Sequence, residues 1–378
     1  MDSARPSVVF GLVTTVVLAS AALASGDDWS AFGSVDSQAS ICTPAKLGVY
    51  SFKNSNFPRN ITMKGDVVYV ATSGPVDLSN YETFNFRAID ISNKSAPALR
   101  GATVLLGELG PKPPIELARD HAYVTSSLGL YLVESSNPTG LMKATLFEVP
   151  GIVPENVRVS GSKAYVIGKE RNTNRFRLAI VDVGAPSVPV HLGSFQVDGS
   201  SDFDFNWRDL EVIGNVIYVG APALVGEGGA IRAIDASNPS APREVGRLTD
   251  ANIYYHQLAT NGTHLLVAGN RHLLVIDVAN PATMKLIAKI ETGGRQVEDL
   301  DVIGGLALVA DVVLDKVFMF DLSKTPQVTQ SGTISADAYR ISADGRFAAI
   351  ILYNDEALSL YDIGSCVPSA KRRRAARR

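Results

Sequence analysis

The sequence predicts an all-β chain: a seven-bladed β-propeller of four-stranded antiparallel blades, whose last blade is completed by the N-terminal strand. Three observations lead there. A short apolar strand ending in an acidic residue recurs seven times, an alternating hairpin pattern precedes each copy, and an unmatched strand opens a chain whose last unit ends one strand short. The 378 residues are 46% hydrophobic and 19% charged, too apolar for a disordered chain and long enough to bury a large core. Lys and Arg number 35 against 38 Asp and Glu, a formal net charge of -3, so no specific nucleic-acid binding is expected. Five His and two Cys exclude a zinc-finger or disulfide-dense scaffold.

Taken in chain order, residues 1–24 hold Arg5, an apolar run over 8–18 and the small-residue ending Ala22-Leu-Ala24. This is the layout of a secretory signal peptide cleaved after Ala24. The apolar run is short of the roughly 20 residues that span a bilayer. The expectation is therefore a secreted, extracytoplasmic or cell-surface protein with no transmembrane segment in the mature chain. Residues 25–40 read as a flexible segment, 41–368 as the propeller and 369–378 as a basic disordered tail. Residues 371–378 carry one Lys and five Arg, and without those six charges 29 stand against 38, leaving about -9. The tail is either simply solvated or a contact for anionic surfaces.

The clearest acidic-ended strand, Leu178-Ala-Ile-Val-Asp182, recurs as Ile231-Arg-Ala-Ile-Asp235 and Leu273-Leu-Val-Ile-Asp277. Looser copies are Phe86-Arg-Ala-Ile-Asp90, Leu130-Tyr-Leu-Val-Glu134, Val317-Phe-Met-Phe-Asp321 and Leu358-Ser-Leu-Tyr-Asp362. The steps between the acidic residues are 44, 48, 53, 42, 44 and 41, the period of a repeat array. Upstream of each lies a segment such as Asp209-Leu-Glu-Val-Ile-Gly214-Asn-Val-Ile-Tyr218, apolar at alternate positions around a Gly turn, which reads as a β-hairpin. Downstream comes a turn such as Ser237-Asn-Pro239 and then another short strand, as in Leu192-Gly-Ser-Phe195. The repeated Asp has a structural role there, accepting from the backbone of the turn that follows. Four strands in 40–50 residues make one propeller blade.

The orphan strand Leu47-Gly-Val-Tyr-Ser-Phe52 matches that fourth-strand pattern, so it supplies what the last unit lacks. The cysteines fit this closure. Leu192 lies ten positions after Asp182, whereas Cys366 lies four after Asp362 and Cys42 five before Leu47. On the joined repeat the two fall side by side, within reach of a disulfide, and an exported setting permits the Cys42–Cys366 bridge.

These strands and their Asn-Pro turns resemble the LVIVD-repeat family of exported propeller proteins, over roughly residues 56–362. The second unit departs from the pattern, with Glu134 for Asp and Pro114 at the hairpin start. The resemblance implies an exported or cell-surface propeller and no particular chemistry.

In a propeller the first strand of each blade lines the central channel. The equivalent first positions are Asn60, Pro114, Asn156, Asp209, Gln257, Asp299 and Arg340, preceded by Arg59, Pro113, Glu155, Arg208, His256, Glu298 and Tyr339. The polar members either satisfy one another and channel water or form a binding site at the channel mouth. Asp209, Asp299, Glu155 and Glu298, with amide oxygens near them, are the candidate ligands for a hard cation such as calcium. His256 is the candidate acid or base, although its neighbours Tyr254 and Tyr255 equally suit a packed, hydrogen-bonded ring. The run Asp202-Phe-Asp204-Phe-Asn206 lacks the Gly and the closing Glu of a calcium loop. Asn60, Asn93 and Asn261 begin glycosylation sequons, relevant in a eukaryotic secretory host. Two functions remain open. One is an exported binding or scaffold module for a protein or glycan partner, using insertions at 169–175 and 221–229, without a cofactor. The other is a metal-assisted, calcium-type hydrolase or lactonase at the channel mouth. Fold alone does not choose between them.

Overall fold

The computed structural model describes residues 42–368 apart from 53–56, 74–77, 80–83, 111–113, 172, 174, 198–208, 222–228, 251–256, 270, 293–295 and 354–355. The expected signal peptide, the segment 25–40, the basic tail, His256, Arg208, Pro113 and the run 202–206 lie outside the described residues. Among the described residues no helix is long and apolar enough to cross a membrane.

Seven sheets follow one another along the chain, six of four antiparallel strands and the first with a fifth, Gly140–Leu141, added parallel to Ala98–Thr103. Their first, channel-side strands are Phe57–Lys64, Ile115–Ala118, Ile152–Ser160, Leu210–Ile213, Gln257–Thr260, Val297–Ile303 and Ala338–Asp344; we number the blades one to seven in that order. Blade seven draws three strands from the end of the chain and its outermost from Ala45–Ser51, which pairs with Ala357–Asp362. The ring is thus closed by the N-terminal strand, as the sequence predicts. The Cys42–Cys366 disulfide joins two Cα atoms 5.5 Å apart across a separation of 324 residues. Cys42 also donates its backbone N–H to Ser331 O at 2.7 Å, fastening the N-terminal segment to blade six as well.

Each hydrophobic cluster fills one interface between neighbouring blades. Tyr123, Leu132, Val157, Val166 and Val181 pack between blades two and three, while Phe52, Ile61, Val68, Tyr339 and Leu358 pack between blades seven and one. This is the expected consequence of alternating strands that bury both faces of each blade. Burying a side chain of this size stabilises the ring by roughly 1.5–3 kcal/mol.

The turn after each third strand is built as the repeat predicts. Asp90, Asp182, Asp235, Asp277, Asp321 and Asp362 each accept the backbone N–H two residues on, at 2.7–2.9 Å. In blade two the longer Glu134 accepts the Ser136 hydroxyl at 3.2 Å instead. The outermost strands carry a β-bulge at Leu47, Arg100, Leu192, Val245, Ile287 and Ser331. After the bulge comes Gly48, Gly101, Gly193, Gly246 or Gly332, with Ala288 in blade five. Close approach explains the glycines: a Cβ on Gly193 would fall on the carbonyl oxygen of Pro239, and one on Gly246 on that of Pro281. The turns of blades four and five therefore seat on the bulged outer strands of blades three and four.

Candidate functional site

The inner strand of every blade is a sheet edge, so its outward N–H groups have no strand to pair with and need another acceptor. The sequence answers with polar side chains at alternate positions of those strands. Asn60, Asn156, Asp209 and Asp301 each accept the N–H of the next residue, at 2.7–2.8 Å. Others reach the next blade. Asp209 Oδ2 accepts from Leu258 N at 2.8 Å, Asp299 Oδ2 from Ile341 N at 2.7 Å and Asp301 Oδ2 from Ala343 N at 2.6 Å. Side chains pair as well: Asn156 Nδ2 donates to Asp209 Oδ1 at 2.7 Å, and Gln257 Nε2 to Asp299 Oδ1 at 2.9 Å. Ser342 Oγ and Asp344 Oδ2 accept from Met63 N and Gly65 N of blade one at 2.9 and 2.6 Å. Lys64 Nζ then donates to Arg119 O of blade two at 2.9 Å, and Thr125 Oγ1 of blade two to Glu155 O of blade three at 3.3 Å. The result is a collar of hydrogen bonds that crosses every blade interface around the axis.

The collar surrounds a cavity of about 540 Å³. Of the first positions, Asn60, Pro114, Asn156, Asp209, Gln257 and Asp299 line it, together with Glu155. Register shifts place bulges at Arg59, Glu155, Glu298 and Tyr339, which re-aims those side chains at the strand entrance. Arg340 is not among the residues lining the cavity. It is 0% exposed, its Nη1 donates to Tyr339 O at 2.6 Å, its guanidinium carbon lies 3.8 Å from the centre of the Tyr339 ring, and Glu298 Oε2 is 3.7 Å away.

The carboxylates read as possible cation ligands are engaged elsewhere. Asp209 and Asp299, only 5% and 6% exposed, spend their oxygens on the N–H groups just named. Glu155 is 3.9 Å from Lys169 Nζ, and Glu298 accepts from Gln296 Nε2 at 3.0 Å. Among the described residues no group of three or more His, Cys, Asp or Glu side chains is arranged to hold a metal ion.

A second ring, two residues further along the strands, was not singled out from sequence: Glu116, Arg158, Glu211 and Asp301, with Thr62 and Ser342. The signal was present, because residues i and i+2 of a strand share a face. Arg158 holds the centre. Its Nε donates to Glu211 Oε1 at 2.6 Å, and its Nη2 lies 3.4 Å from Asp209 Oδ1. Burial opposes the Arg158 charge, but the carboxylates of Asp209, Glu211 and Glu116 more than compensate and hold it protonated. Burial pushes the carboxyls of Glu211 and Asp301 up and takes Glu116 to about 7, against the opposing pull of Arg158. Among the described residues, seven carboxylates (Glu108, Glu116, Glu155, Asp209, Glu211, Asp299 and Asp301) and one guanidinium, that of Arg158, line this cavity.

The LVIVD repeat is matched four times, at residues 84–103, 154–197, 206–250 and 256–292. No curated protein matches the sequence. Among solved structures, the chain is similar to the β-propeller domain of Myceliophteria thermophila Cps50 (Swd1), with TM-score 0.57, 10% identity and coverage of 84% of this chain and 99% of that one. It is likewise similar to the WD40 propeller domain of Doa1, with TM-score 0.60, 8% identity and coverage of 84% and 97%. A protein from Lactobacillus plantarum gives TM-score 0.55 at 14% identity, covering 73% of this chain and 87% of that one. At such identities the likeness concerns the fold.

Proposed function

Since the chain is an LVIVD-repeat β-propeller, we propose that it is exported and serves as a binding or scaffold module for a protein or glycan partner at the cell surface or beyond it. One observation carries this reading: Asp209, Asp299 and Asp301 of the channel are committed to holding neighbouring blades together, while the variation between repeats sits at the channel-mouth face. The first-to-second strand connections, on the opposite face, are short turns such as Gly65-Asp66 and Gly214-Asn215. On the mouth face, the second-to-third strand connections of blades three and four run from Glu170 to Phe176 and from Ala221 to Gly229. Variable loops on a rigid frame are the usual place for recognition. The apolar stretch at 8–18, the small residues before Ser25 and a disulfide between the chain ends all favour export.

The test is binding of the purified mature protein to a glycan array and to intact cells of the source. It is compared with a variant in which residues 222–228 are replaced by a Gly-Ser linker. Retained thermal unfolding with lost binding is expected; binding untouched by replacing the mouth-face connections of blades three and four would overturn the reading. Export is checked separately by N-terminal sequencing of secreted protein, expected to begin at Ser25.

A further inference from the structure

We infer that Asn93 and Asn261 are attachment sites for N-linked sugar, both on the face opposite the channel mouth. Asn60, the third asparagine in such a sequence context, stays bare inside the ring. The inference rests on the proposed export.

The turn after the third strand shows how the first site arises. In blades two and four it reads Ser136-Asn137-Pro138-Thr139 and Ser237-Asn238-Pro239-Ser240. Each would be an acceptor sequence, Asn-x-Ser/Thr, but for the Pro at its centre. Blade one has Lys94 there, so Asn93-Lys94-Ser95 is open. The turn is otherwise the same. Asn93 Oδ1 accepts from Ser95 N at 3.2 Å and from Ser95 Oγ at 2.8 Å, and Asn238 Oδ1 accepts from Ser240 N and Oγ at the same two distances. Asn93 O accepts from Ala96 N and Asn238 O from Ala241 N, both at 3.1 Å. A Cβ on Gly48 would fall on the Lys94 carbonyl oxygen, just as one on Gly193 would fall on that of Pro239. Lys94 thus occupies the seat that Pro holds elsewhere, and only the block on modification is gone.

Asn261 begins the turn between the first two strands of blade five, Gln257–Thr260 and His264–Gly269. Its Oδ1 accepts from Thr263 N and Oγ1, each at 3.0 Å, and from His264 N at 2.8 Å. Asn93 is exposed and Asn261 half-buried. In both, the hydroxyl two residues on holds the carboxamide oxygen, and among the described residues Nδ2 makes no hydrogen bond. Nδ2 is the atom that reacts. It bonds to the anomeric carbon of an N-acetylhexosamine, that carbon's bond to a polyprenyl pyrophosphate breaks, and an Nδ2 proton leaves with the pyrophosphate. Asn60 differs in its place. It lines the axial cavity with Thr62, its Oδ1 accepts from Ile61 N at 2.8 Å, and Ile61 packs between blades seven and one. A sugar there would stand among the groups that join the blades, so a chain carrying it does not close. The connections of the mouth face hold asparagines too, among them Asn80, Asn172, Asn174, Asn252 and Asn354, yet none of these has Ser or Thr two residues on. Sugar is therefore confined to the far face, and the mouth is left bare for a partner.

The experiment expresses the full chain in eukaryotic secretory cells, once with its own N-terminus and once with residues 1–24 replaced by a signal peptide of known function. Folded protein from the medium, or from the membrane-enclosed fraction where none is released, is treated with peptide-N-glycosidase in heavy-oxygen water. This converts each glycosylated Asn to a labelled Asp that peptide mass spectrometry locates. Asn93 and Asn261 should be labelled and Asn60 unlabelled. N93Q and N261Q should each remove one glycan from the mass of the intact protein, and the pair both. K94P should remove the same glycan as N93Q although Asn93 is kept, and P239K, which opens the equivalent sequence in blade four, should add one. An unlabelled Asn93 or Asn261 behind the supplied signal peptide, or label on Asn60 in folded protein, would overturn the inference. Labelling behind the supplied signal peptide alone would sink export by the chain's own N-terminus and leave the assignment of the sites standing. Should a variant fail to fold, the wild-type peptide map decides alone.

Discussion

At the scale of single residues, the channel is organised by backbone groups that have nowhere else to bond. Asp209 shows the logic: its two oxygens take N–H groups from Leu210 and Leu258 and the amide of Asn156. Replacing it by Ala leaves these donors buried and unpaired, each at a cost of roughly 1–3 kcal/mol. We expect D209A to lower urea-unfolding stability by at least that amount, and D209N by less because one acceptor remains. The turn aspartates set a pH dependence of their own. The Ser237 hydroxyl holds Asp235 below the usual carboxylate range, and the Arg346 guanidinium does the same for Asp362. Their contribution is therefore present above the unfolded carboxylate pKa and lost as pH falls through the depressed values. Wild-type stability should thus decline on acidification below about pH 4, near the unfolded Asp value, and D235N should flatten that limb.

At the scale of elements, the repeat was legible because it is written in strands. The period of Asp90 to Asp362, the Gly turns and the alternating inner strands predict the blades that are observed. The inner ring was legible only in part. Asn156 and Asp209 hold the first polar position of the repeat and were conspicuous, but Glu116, Arg158, Glu211 and Asp301 stand two residues further on, where their meeting depends on how adjacent blades are rotated. Arg340 shows the same limit: its repeat position matches Asp299, yet stacking on Tyr339 and the nearness of Glu298 hold it in a buried place of its own. The bulged outer strands give a sharper prediction. Because a side chain on Gly193 meets the Pro239 carbonyl, G193V should push blade four's turn off blade three and destabilise by about 1–3 kcal/mol, as overpacking does. Blade two offers the reverse case. Arg119 has φ 54° where Gly65, Gly161, Gly214, Gly304 and Gly345 occupy 57–64°. Left-handed backbone costs a non-Gly residue about 1 kcal/mol or more, so R119G should leave Tm unchanged or raise it.

At the scale of the molecule, the ring is secured at two radii. The polar collar joins blades at the axis, and the Cys42–Cys366 bridge fastens the chain ends at the periphery, where Cys42 also touches blade six. Cross-linking residues 324 apart restricts the unfolded chain by on the order of 5 kcal/mol as an upper figure. Reduction, or the C42S/C366S pair, should lower Tm markedly without altering the β content seen by circular dichroism. Closure could be read from the sequence because an unmatched strand and two cysteines fell in phase on one repeat.

That closure has a consequence for the order in which the protein is made. The strand Ala45–Ser51 emerges early but pairs with Ala357–Asp362, which emerges some 300 residues later. Its hydrogen-bonding edges stay open throughout synthesis, exposed to other nascent chains. Six blades can assemble as they appear, while the seventh waits until Ala357–Asp362 has emerged. A chain truncated shortly before Ala357 would thus carry both an unclosed ring and a loose sticky strand, a product better suited to degradation or clumping than to release.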